Sequence, residues 1–172
     1  MKTSIVLTII AKDQPGIINT VSKTLYDHGG GWTQSIMSSL AGQFAGILLA
    51  SVPVDSADDC VRALQQLKAR GLNVMAHVSE EDPDTQDQKA YTLDLVGNNR
   101  KGIVHDITSI LTRHHVNVRD LETVAESASM GGGDIFRARA ELHVPADTDM
   151  DDLEAELENI ANELMVDITF KQ

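Results

Sequence analysis

The chain repeats itself. Gly16 falls on Gly102 at an offset of 86, and with it Leu7 meets Leu93, Ile17 meets Ile103, Ile18 meets Val104 and His28 meets His114. Beyond residue 40 the offset becomes 92: Phe44 meets Phe136, "VPVD" at 52–55 meets "VPAD" at 144–147, and Val74 meets Val166. One insertion of six residues accounts for the step, and the Ser/Gly-rich stretch "ESASMGGGD" has room for it. A duplication on this scale requires a compact unit of roughly 80 residues, used twice. The expected boundaries are a first domain at 1–79, an acidic linker at 80–89 centred on "EEDPDTQDQ", and a second domain at 90–172. A polar, proline-bearing stretch of that kind is solvated chain.

Within each copy the order of elements is readable. Residues 3–11 form a β-rich run, and in the second copy Tyr91, Leu93 and Leu95 alternate with polar Thr92 and Asp94, which is the period of a strand with one buried face. Ile17, Val21 and Leu25 then recur at every fourth position, as do Ile103, Ile107 and Leu111, the stripe of a helix laid on a sheet. Gly29, Gly30 and Gly31 stop the first helix; His114, His115 and Asn117 close the second. Two strands follow at 32–40 and 43–52, and again at 117–125 and 134–144. "FAGILLASV" is apolar on both faces, as in a central strand, and "WTQSIMSSL" alternates with polar residues, as in an edge strand. A second helix starts near Asp55 or Asp147, each read as an N-cap, with Leu153, Leu157, Ile160 and Leu164 as its stripe in the second copy. "LNVMAHV" and "MVDITF" supply a last strand. The order is βαββαβ twice. The expected class is α+β: two tandem ferredoxin-like units, each a four-stranded antiparallel sheet with both helices on one face.

The junction "AKDQPGIINTV" at 11–21 and its counterpart "GNNRKGIVHDI" at 97–107 carry the functional expectation. Asp13 is read as a cap for the helix amides, Pro15 as a first-turn proline, and Gly16 as a place where another molecule can approach the backbone. Helix-start amides and the positive end of the dipole suit a carboxylate.

These motifs, together with "LAGQFAGILL" between the second and third strands, resemble ACT domains over about 3–79 and 90–171. A chain made of two such units is similar to ACT-domain repressors of the glycine cleavage type. The resemblance implies a non-catalytic regulator that binds a small amino acid, glycine being the first candidate. It places the ligand where the strand-one/helix-one loop of one unit faces the edge strand of another. Carried over, the binding positions are Asp13, Gln14, Pro15, Gly16, Ile17 and Ile18, with Asn98, Asn99, Arg100, Lys101, Gly102, Ile103 and Val104 in the second copy. The start of strand two adds Thr33, Gln34 and Ser35, and Arg119 and Asp120. Asp13 or Asp120, or backbone carbonyls, would receive the ligand's ammonium group. Gln14 stands where the family often has arginine, and Asn99 and Lys101 replace Asp and Pro. ACT units pair, so the resemblance also implies a homodimer or intrachain pairing, and a partner that is either a regulator protein or a metabolic enzyme. The alternative reading is therefore a regulatory subunit of an amino-acid metabolic enzyme.

Charge narrows the partners. The formal net charge is -12, and an acidic surface without a basic stripe repels phosphate backbones, so contact with another protein is expected rather than direct nucleic-acid binding. No cofactor or metal is expected: the six histidines are scattered, and catalytic signatures such as HExxH or a phosphate-binding loop do not occur. An acylphosphatase-like enzyme would need Arg100 beside Asn98 or Asn99, an arrangement absent from the first copy. Cys60, the single cysteine, sits in a helical setting with acidic neighbours and reads as a structural thiol. "MKTSIVLTIIAKD" reads as a first strand, since Thr8 interrupts the apolar run and Lys12-Asp13 follows it. No stretch approaches a membrane span, and the expected location is cytoplasmic.

Overall fold

A computed structural model of the chain describes residues 1–79, 88–127 and 132–172. The chain divides into two compact units, Met1–Asp82 and Pro83–Gln172. Unit 1 contains β1 (Lys2–Lys12), α1 (Ile17–Asp27), β2 (Gly31–Leu40), β3 (Gln43–Pro53), α2 (Ala57–Gln66) and β4 (Leu72–Val78), with short 3-10 turns on either side of α2. Unit 2 contains β5 (Gln88–Asn98), α3 (Ile103–Arg113), β6 (Asn117–Ser127), β7 (Asp134–Pro145), α4 (Met150–Leu164) and β8 (Val166–Lys171). The sheets run β2-β3-β1-β4 and β6-β7-β5-β8, with antiparallel pairing throughout. This is the ferredoxin-like arrangement the duplication requires. β5 already includes Gln88 and Lys89; residues 80–87 of the expected linker, and 128–131 of the Ser/Gly-rich stretch, lie outside the described residues.

Each core lies between one sheet face and its two helices. In unit 1, Ile5, Leu7 and Ile9 from β1 meet Val21, Leu25 and Leu64 from the helices, all but fully buried. In unit 2, Leu93 and Leu95 meet Ile107, Leu111, Leu153 and Leu157. The aliphatic stripes are thus what fixes each helix to its sheet. Cys60 is completely buried, and that burial pushes its thiol pKa up.

Both first helices end in the same way. Gly30 N–H donates to Leu25 O and Gly29 N–H to Tyr26 O, with Gly29 left-handed at φ 71°. Val116 N–H donates to Leu111 O and His115 N–H to Thr112 O, with His115 at φ 57°. The two bonds form a Schellman motif, closed by a glycine in one unit and a histidine in the other. His28 ends α1 with Nδ1 2.8 Å from Thr24 O, the contact with the helix end that a histidine there can make.

Three sequence expectations are corrected. α2 is capped from Ser56, Asp55 lying in the preceding 3-10 turn, and α4 from Asp149 rather than Asp147, with Asp149 Oδ1 accepting the Asp152 N–H. Leu72, not Val74, is the counterpart of Val166, because Ala11 pairs with Leu72 and the equivalent Gly97 with Val166. α4 is a continuous 15-residue helix where unit 1 has ten helical residues and a 3-10 turn, and the extra length moves the last strand along by two. The third concerns the start of α1.

Candidate functional site

The β1–α1 junction turns on Gly16. It occupies the N-cap position at φ 93°, in the left-handed region, and no side chain caps the helix. Asp13 therefore does not act as the expected cap. Its carboxylate instead accepts the Ser39 hydroxyl at 2.5 Å, and its N–H donates to Gly42 O at 2.9 Å, tying the loop to the β2–β3 hairpin. Pro15 lies just before the helix, outside its first turn. The glycine is required by its backbone conformation: a side chain at φ 93° is strained, although a Cβ there would meet nothing within 4 Å. The space above the helix start is open.

The first helical backbone bond runs from Thr20 N–H to Gly16 O, so the amides of Ile17, Ile18 and Asn19 have no helical acceptor. Acidic residues are absent from this turn. The amides and the dipole end together make a weakly positive, open helix start on an acidic protein. Ile17 is buried in the core, while Ile18 is half-exposed.

Unit 2 builds the same turn, also without a side-chain cap bond, and sets a carboxylate beside it. Gly102 caps α3 at φ 91°, Asp106 N–H donates to Gly102 O, and Asn99 N–H donates to Asp134 O at 2.8 Å. Asp106, however, stands where unit 1 has Thr20, and its Oδ2 lies 3.6 Å from where a Gly102 Cβ would be. That carboxylate already meets the electrostatic demand of the helix start. Arg100 turns away from it, its Nη1 donating to Leu164 O at 3.2 Å and Glu163 O at 3.4 Å. It closes the C-terminal end of α4, a structural commitment that removes the arginine an acylphosphatase-like site needs.

The second group of expected positions lies elsewhere. Thr33 and Arg119 sit in matching β-bulges, between Trp32/Gln34 and Val118/Asp120. Bulges re-aim side chains and loosen edge pairing. Ser35 Oγ accepts from Trp32 Nε1 at 3.1 Å. Ser35 shares a row with Leu48 and Leu7, about 20 Å along the sheet from Asp13 at the rise of a strand. Gln34 pairs with Leu49, and Asp120 with Glu141, which puts both on the sheet face opposite the helices. Asp120 thus does not face the helix start at Gly102 of its own unit. Within each unit the two groups of expected site residues are not brought together. Two contributors were not anticipated: Ser39, which holds Asp13, and position 20/106, which decides whether the helix start is open.

Unit 2 also has an apolar cleft of about 30 Å³, walled by Leu95, Ile107, Val118, Leu121 and Phe136. In unit 1, Met37 leans over Gly46 in the matching region. Elsewhere in unit 2, His114 Nε2 approaches Glu156 Oε1 at 3.3 Å and Asp152 Oδ2 at 3.9 Å, while Arg113 holds the other Glu156 oxygen. These contacts clasp α3 to α4.

The topology and the helix-start turn define a class: tandem ferredoxin-like proteins whose first crossover begins at a glycine-capped helix. Residues 3–78 match the ACT domain family. The match spans the first unit, and the second repeats its topology. The fold of the chain is similar to the crystal structure of an unknown protein from Galdieria sulphuraria, with 24% identity, TM-score 0.89, and coverage of 99% of this chain and 98% of that one. It is also similar to the crystal structure of a candidate glycine cleavage system transcriptional repressor, with 17% identity, TM-score 0.66, and coverage of 99% and 97%. No curated protein matches it. Among the described residues no helix is long and apolar enough to cross a membrane.

Proposed function

We propose that the chain is a non-catalytic, amino-acid-responsive regulator of the glycine cleavage repressor type, acting through protein contact rather than on DNA. The observation that carries the reading is the uncapped start of α1: three amides without a helical acceptor, open space over Gly16, and no acidic side chain in the turn. A free amino acid presents a carboxylate that those amides can receive. Asp13, held at the rim by Ser39, offers an acceptor for the ammonium group. An edge strand supplied by another ACT unit would complete the seat. A ligand touching two units shifts the balance between their arrangements by its differential affinity for them. The net charge of -12 supports a protein partner.

Unit 1 is the binding unit in this reading, because Asp106 occupies the corresponding position in unit 2. Calorimetric titration of the full chain with a panel of amino acids, glycine first, tests it. Binding is expected for the native chain, and a loss of at least about tenfold in affinity, or about 1.4 kcal/mol, is expected for Thr20→Asp, which reproduces the unit 2 arrangement. Unchanged affinity in Thr20→Asp, with circular dichroism unaltered, removes the seat from α1. Gly16 is a poor choice for this test because its backbone conformation resists any side chain. Capture of a transcription regulator from extract fits this reading, and capture of a biosynthetic catalytic subunit fits the alternative.

A further inference from the structure

The two sheets differ most on the faces their helices leave uncovered. In unit 1 the cross-strand row Ile36–Ile47–Thr8–Met75 runs over all four strands. Its three apolar members are 65%, 55% and 76% exposed. Ile10 and Leu49 flank the row. Among the described residues, the alternation of β1–β4 places no aspartate or glutamate on this face. Its only lysines, Lys2 and Lys12, stand at the two ends of β1.

The equivalent face of unit 2 is rich in charge. Asp94 meets Arg139 at 3.6 Å and Glu126 meets Arg137 at 3.9 Å, with Glu122, Glu141 and Asp167 in adjoining positions. That face satisfies itself and suits water. Exposed apolar surface of several hundred Å² is unusual on a protein that works alone.

We propose that the uncovered sheet face of unit 1 is a dimer interface, and that its occupant is the same face of a second copy of this chain. Charge selects the occupant. Two copies of a chain with net charge -12 repel one another at most approaches, and this acid-free face lets them meet without opposing carboxylates. Geometry agrees: identical sheets carry identical twist, so they stack with strands aligned to within about 30° and their side chains interleaved. A two-fold axis through the Ile47–Thr8 centre of the row makes the contact self-complementary. Area is sufficient. Strand spacing and rise give a face of about 600 Å² per copy and about 1,200 Å² for the pair, the lower bound for a specific interface. The result is a reversible, concentration-dependent dimer built face to face, leaving the β2 edge free.

Sedimentation equilibrium of the full chain over a wide concentration range tests this. The native protein is expected to double in mass with concentration. Ile47→Glu and Met75→Lys, both on exposed side chains, are expected to keep the monomer's circular dichroism and weaken dimerisation by at least about a hundredfold. Val124→Glu, on the open face of β6, is expected to leave the dimer intact. A native chain that stays monomeric at the highest concentration overturns the proposal. So does a dimer that survives Ile47→Glu and Met75→Lys, including one that instead breaks when a proline is placed in the β2 edge.

Discussion

Units 1 and 2 share strand order, helix placement and the C-terminal turn of their first helices, yet they have diverged on the outer sheet face and at the first-helix start. The helix-facing rows are aliphatic in both. The opposite rows are apolar in one unit and ionic in the other, and the α1 start is open where the α3 start has Asp106 beside it. The comparison separates two jobs. Helix-side residues specify the fold, and exchanging them costs stability; the outer face and the helix start are free to acquire different partners.

The comparison breaks most visibly in the cores. Leu48→Ala in β3 and Leu142→Ala in β7 each remove a fully buried side chain from one core and are expected to cost about 2–5 kcal/mol. If the units fold independently, denaturant titration followed by unit-specific hydrogen exchange will move protection only in the unit mutated. A uniform loss would mean that the two cores unfold as one.

Close packing sharpens it next. A Cβ at Gly97 would lie 2.4 Å from Val166 Cγ1 and 3.0 Å from its Cα, while unit 1 has Ala11 at that position; a Cβ at Gly46 would lie 2.4 Å from Met37 Cγ, while unit 2 has Ala138. Gly97→Ala and Gly46→Ala are each expected to destabilise by about 1–3 kcal/mol, read from chemical denaturation. Each site also meets backbone at 3.0 Å, Ile36 O at Gly46 and Val166 Cα at Gly97, so Gly46→Ala should be milder only because unbranched Met37 can turn aside where β-branched Val166 cannot. Equal tolerance at both sites would show that the β5–β8 approach is not specific to unit 2.

Smaller effects distinguish the caps. Asp149→Ala removes a bonded cap and is expected to cost about 1 kcal/mol, whereas Ser56, whose side chain makes no cap bond, should tolerate alanine with a change under about 0.5 kcal/mol. The difference is measurable as a shift in melting midpoint. Smallest of all, His115→Gly gives unit 2 the helix end of unit 1 and is expected to gain about 0.5–1 kcal/mol by relieving a left-handed histidine. A loss there would mean that the imidazole makes a contact worth more than the strain.

Much of this fold was legible because its signals are periodic. The stripe Ile17–Val21–Leu25 and the alternation through Leu93 and Leu95 each admit one secondary structure, and the duplication doubled every signal. What escaped was decided by backbone angle or by length. Asp13 looks like a cap in sequence, but a left-handed Gly16 takes the N-cap position and leaves the carboxylate to Ser39, 26 residues away. Asp55 and Asp147 fell one and two residues short because a short 3-10 or turn segment precedes each helix. The site was legible only in part. The helix-start glycines stood out, whereas the opposition of Thr20 to Asp106 gains meaning only once both turns are seen to have the same shape.

The β2–β3 hairpin turns through Ala41 and Gly42 alone, while β6 and β7 continue to Ser127 and resume at Asp134 without losing register with β5. One half of the molecule has thereby already rehearsed an engineering experiment on the other. Foreign sequence spliced at residues 41–42, a reporter peptide or a fluorophore attachment loop, should be carried at that tip while the sheet beneath it keeps its pairing.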